Sequence, residues 1–136
     1  MTLLLLSLGA ACSTGSGADS APVDDSGCHP ALAIVSPTDG ATVCSTAFEV
    51  KLDISGITLL DPYDPPDPLP PCAGHVDLDL NGVDANMTGT DTTTITTAED
   101  GFEYRLKAEL SNADHTPMDP YVGQYVFITA SEAACP

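Results

Sequence analysis

Two stretches of this chain alternate strictly between apolar and polar side chains, and a period of two restricts them to half-buried β-strands. Over residues 47–55, Phe48, Val50, Leu52 and Ile54 alternate with Glu49, Lys51, Asp53 and Ser55. Over residues 102–110, Phe102, Tyr104, Leu106, Ala108 and Leu110 alternate with Glu103, Arg105, Lys107 and Glu109. A third run sets Val76, Leu78 and Leu80 against His75, Asp77 and Asp79, and it ends at Asn81-Gly82. Both of those residues tolerate positive φ, which favours a two-residue hairpin. Weaker strand signals cover residues 31–35, 41–43, 83–87, 92–97 and 122–130. The threonine run at 92–97 has high β-propensity but little to bury, so it reads as an edge strand. No segment has helical periodicity. Twelve prolines and eleven glycines supply the turns, and with no tryptophan the core falls to Val, Leu, Ile and Ala. Seven or eight short strands at this spacing predict an all-β sandwich.

Charge narrows the partners. Twenty acidic residues face only Lys51, Arg105 and Lys107, a net charge of −17. Such a surface repels phosphate backbones, which excludes nucleic acid as a direct partner, and it attracts cations. The chain has no Gly-x-Ser-x-Gly elbow, phosphate-binding loop or His-Glu-x-x-His motif, so the sequence reads as a non-enzyme.

The first residues read as an address. Residues 3–8 are apolar apart from Ser7, and Gly9-Ala10-Ala11 leads into Cys12. The run is shorter than the roughly 20 apolar residues a membrane span needs, and it suits a signal-peptide core. Small residues before a cysteine, after a leucine-rich stretch, resemble the bacterial lipobox. That resemblance implies that residues 1–11 are a signal peptide and that Cys12 carries a diacylglyceryl anchor. It predicts a lipid-anchored protein of the bacterial cell envelope, in the outer membrane given Ser13, with secretion or a periplasmic location as the alternative. Residues 12–27 are mostly Ser, Thr, Gly, Ala and Asp, a flexible tether reaching roughly 20 Å. The domain proper is residues 28–136.

Four cysteines lie in that domain: Cys28, Cys44, Cys72 and Cys135. An even number in an exported chain argues for two disulfides, with three pairings open. The segment Ile34-Val35-Ser36-Pro37-Thr38-Asp39-Gly40-Ala41-Thr42-Val43 resembles the opening of bacterial Ig-like domains, where the first strand breaks at the Pro and Gly and then resumes. Gly74-His75-Val76-Asp77-Leu78 and Asn112-Ala113-Asp114-His115-Thr116-Pro117 resemble paired segments of an uncharacterised Ig-like family of bacterial envelope proteins. The combined resemblance covers residues 34–130. The strand order it implies puts Cys28 and Cys72 at one end of the sandwich and Cys44 and Cys135 at the other, so the expected pairs are Cys28–Cys72 and Cys44–Cys135.

The same implied order brings His29, His75 and His115 to one end, with Asp114 beside them and the strands of His75 and His115 as neighbours. Imidazoles with nearby carboxylates suit Zn²⁺ or Cu²⁺. His29-Pro30-Ala31-Leu32, followed by Ser36-Pro37-Thr38-Asp39-Gly40-Ala41, is similar to the start of CopC-type periplasmic copper-binding proteins. Ala113-Asp114-His115 is similar to their second copper-ligand region. The candidate metal ligands are therefore His29, His75, Asp114 and His115. Without a third donor, His75 and His115 would serve only to order their loops by hydrogen bonding. Two functions follow from the sequence. The first is a surface-tethered, non-enzymatic Ig-like binding or structural module with a protein or small-molecule ligand and no cofactor. The alternative is an envelope metal-binding protein that uses the clustered histidines for copper or zinc.

Overall fold

The computed structural model describes residues 27–136. The expected signal peptide, the expected anchor at Cys12 and nearly all of the expected tether lie outside the described residues. Among the described residues, nine strands form two sheets. β1 (Ala31–Ser36), β3 (Phe48–Ser55) and β7 (Thr92–Ile95) make the smaller sheet in the order β1-β3-β7. The larger sheet runs β2 (Ala41–Cys44), β9 (Gly123–Ser131), β8 (Glu103–Asn112), β5 (Ala73–Leu80) and β4 (Thr58–Leu59), and β6 (Val83–Thr88) also pairs with β5. This is an Ig-like β-sandwich, with a threonine-rich edge strand at β7 as its weak apolar content predicts.

Each sheet sends its apolar side chains into one core. Val50 and Leu52 of β3, Val76 and Leu78 of β5, Leu106 and Leu110 of β8, and Val126 and Ile128 of β9 are all buried there. Full burial of each such side chain stabilises the fold by about 1.5–3 kcal/mol. The break after β1 moves the chain between sheets: β1 pairs with β3, whereas β2 runs parallel to β9. Gly40, at φ 79°, makes that turn possible, and the Asp39 carboxylate ties it to β9 by accepting from the Phe127 amide at 2.8 Å. Asn81 and Gly82 take φ 55° and 81° and close the β5–β6 hairpin, as a two-residue turn requires. Cys28 is joined to Cys72 and Cys44 to Cys135, with Cα atoms 5.6 and 4.4 Å apart.

Three details differ from the sequence reading. β4 is two residues long and carries no readable period, so it adds to the expected seven or eight strands. Phe102 does not join the core: it lies just before β8, is 56% exposed and sets its ring tilted beside Tyr104, with centroids 6.4 Å apart. Its backbone still pairs, since the Phe102 carbonyl accepts from the Ala130 amide at 2.9 Å just after the Gly101 turn, at φ 80°. The polar face of β5 is not a solvent face either, because His75 and Asp79 are buried there.

Candidate metal centre

β5 is central in its sheet, hydrogen-bonded to β8 on one side and to β6 and β4 on the other. Alternation along it turns Val76, Leu78 and Leu80 into the core and His75, Asp77 and Asp79 onto the outer face. The chain leaving β8 then folds back over the end of β5. Leu110 receives the Met118 amide at 3.2 Å, Asn112 donates to the Thr116 carbonyl at 2.8 Å, and Ser111 bridges to Pro117. The returning loop straddles the strand end. Met118 packs beside Gly74 and the core, while His115 falls on the outer face against His75. Gly74 is required at that crossing, since a methyl there would collide with the Ser111 carbonyl and the Met118 side chain.

His115 reaches its position through a left-handed backbone, φ 65°, in a turn closed by its amide on the Asn112 carbonyl at 3.0 Å. That conformation costs an L-residue about 1–2 kcal/mol. It aims the imidazole across the sheet: His115 Nδ1 lies 3.1 Å from His75 Nε2, with the rings edge-to-face at a centroid distance of 4.8 Å. Asp77, two residues along β5 and therefore on the same face, places Oδ1 3.2 Å from the same Nε2. Its other oxygen accepts from the Ser111 hydroxyl at 2.5 Å, which holds the carboxylate in place.

The hydrogen bonding of this trio is incomplete. His75 is 1% exposed, and its Nδ1 has no hydrogen-bond partner. Asp77 Oδ1 is likewise buried without a hydrogen bond, although it faces the imidazole. One ring nitrogen, Nε2, thus confronts two acceptor-capable atoms, and it can offer only one proton or one lone pair. Burial lowers the His75 pKa and His115 lowers it further, against the opposing pull of Asp77, so the ring is neutral at physiological pH and its lone pair is free to coordinate. Farther along the same face Lys107 joins Asp79 at 2.9 Å and Glu109 at 3.2 Å, so those carboxylates are engaged elsewhere.

Among the described residues, His75, Asp77 and His115 form the group of ligating side chains whose donor atoms converge, all within 4.8 Å of one another. Of the four residues singled out from sequence, the structure brings His75 and His115 together. His29 and Asp114 stand outside the group, and the Asp114 carboxylate instead accepts from the Thr116 amide and hydroxyl at 3.1 and 2.6 Å. Asp77 takes the place expected for Asp114. Its signal was present in the chain, because residues i and i+2 of a strand share a face.

No protein-family model and no curated protein matches the chain. Among solved structures, the fibronectin(III)-like modules of Clostridium thermocellum CbhA are 16% identical over 73% of this chain and 46% of theirs, with a TM-score of 0.47. An engineered protein is 17% identical over 76% of this chain and 20% of its own, with a TM-score of 0.45. The chain thus spans less than half the length of either, and its chemistry must be read from its own side chains.

Proposed function

We propose that this domain binds one transition-metal ion, Zn²⁺ or Cu²⁺, at the end of an Ig-like sandwich in the bacterial cell envelope. The observation that carries the reading is the convergence of His75 Nε2, His115 Nδ1 and Asp77 Oδ1, with separations of 3.1 and 3.2 Å about the central nitrogen. Metal–ligand bonds of about 2.0–2.2 Å in tetrahedral geometry put neighbouring donors about 3.3–3.6 Å apart, close to these two separations, and all three donor atoms lie within 4.8 Å of one another. A cation between them would also satisfy the orphaned Asp77 oxygen. Ser111 is then the outer partner that orients the carboxylate.

Three protein donors leave a coordination position open, and His115 is exposed, so that position faces solvent. The site suits an exchangeable ion or one shared with an external ligand, and no turnover is proposed for it. The envelope setting is supported by the two disulfides, which belong to an oxidising compartment, and by the lipobox-like residues before Cys12. No helix among the described residues is long and apolar enough to cross a membrane. The test is equilibrium dialysis against zinc and copper followed by elemental analysis. One ion per chain, lost in His75→Ala and in Asp77→Ala, supports the reading. A stoichiometry that neither substitution changes overturns it and leaves a module whose histidines merely order a loop.

A further inference from the structure

We propose that the cleft adjoining this loop binds a small ligand carrying a protonated amine on an apolar body. The cleft lies between the Cys28–Cys72 bridge and residues 112–120 and holds about 550 Å³, within the range of small-ligand sites. Ile57, Leu69, Met118 and Pro120 supply apolar wall, and Asp114 and Asp119 supply carboxylates. Pro30, Pro70 and the disulfide add wall with little side-chain freedom to lose, which favours a preformed site. The inference is independent of the metal centre, since none of its three ligands lines the cleft.

Charge complementarity selects the ligand. The chain's three cations are engaged elsewhere: Lys51 pairs with Glu49, Lys107 with Asp79 and Glu109, and Arg105 lies over the Tyr125 ring. None lines the cleft, so among the described residues no lysine or arginine faces its two carboxylates there. Thr116 donates to Asp114 through its amide at 3.1 Å and its hydroxyl at 2.6 Å, which fixes that carboxylate in place. An anionic ligand would enter against a net charge of −17, whereas an apolar amine gains from both walls and rim.

The experiment is an amide NMR titration of the protein, with chelator present, using benzylammonium, benzoate and ammonium as probes. Benzylammonium should give saturable shifts confined to residues 56–57, 69–73 and 112–120. Asp119→Asn should weaken it about three- to fivefold, the effect of losing one solvent-accessible ion pair. Leu69→Ala should weaken it as well, and Asp53→Asn, on β3 of the other sheet, should not. Equal binding of benzoate, the same shifts from ammonium alone, or shifts spread over the acidic surface would overturn the proposal. Chelator keeps the outcome separate from that of the metal reading.

Discussion

His75 Nε2 and His115 Nδ1 lie 3.1 Å apart although forty positions separate them in the chain. β5 supplies the first and the turn beyond β8 supplies the second, and the antiparallel pairing of His75 with Ser111 makes them meet. A buried imidazole that shares its one outward nitrogen with a second imidazole and a carboxylate is a poor hydrogen-bonding arrangement and a good coordinating one.

If Ser111 orients Asp77, Ser111→Ala should keep the fold and weaken zinc binding by about 10–100-fold, the usual effect of removing an outer partner of a metal ligand. Isothermal titration against the parent protein reads this directly. Unchanged affinity would mean that Asp77 is held without the hydroxyl or does not coordinate.

The lowered His75 pKa has a defined consequence for metal-free protein. Below about pH 6.5 the unfolded chain takes up a proton that the folded chain resists. The stability His75 contributes is therefore present above that pH and lost as pH falls toward the folded value. Denaturant midpoints measured from pH 7.5 to 5 should fall, and His75→Gln should flatten that part of the profile. Zinc should lose affinity over the same window as protons compete for the ring.

Gly74→Ala should destabilise the domain by about 1–3 kcal/mol, the typical cost of overpacking, because the added methyl meets the Ser111 carbonyl and Met118. The same shift should displace the loop that carries His115 and weaken zinc binding. Chemical denaturation and titration of the one variant check both effects.

Much of the sandwich was legible because its strands keep one face apolar: β3, β5 and most of β8 follow from period two, and Asn81-Gly82 marks the hairpin. The disulfide partners followed once strand order was assigned. The third ligand was harder to see. Asp114 is next to His115 in sequence, but neighbours in a turn diverge, and its carboxylate is committed to Thr116. The burial of β5's polar face by a loop more than thirty residues away leaves no trace in local periodicity, so His75 reads from sequence as a surface residue. Phe102 misled for another reason: it continues both the alternation and the backbone pairing onto Ala130, but it stands at the end of the strand, where its ring stays exposed.

Cys12 should carry the lipid anchor. Labelled palmitate should enter the full chain expressed in a bacterium and not its Cys12→Ser variant, as the lipobox-like residues imply. Equal labelling of both would remove the anchor from the account.

The central claim is tested most directly by a crystal structure of the zinc-loaded protein with anomalous scattering recorded at the zinc edge. The account predicts one strong peak about 2.0–2.2 Å from each of His75 Nε2, His115 Nδ1 and Asp77 Oδ1, with an exogenous ligand completing the shell. A peak elsewhere on the acidic surface, or none at this end of the sandwich, would contradict it.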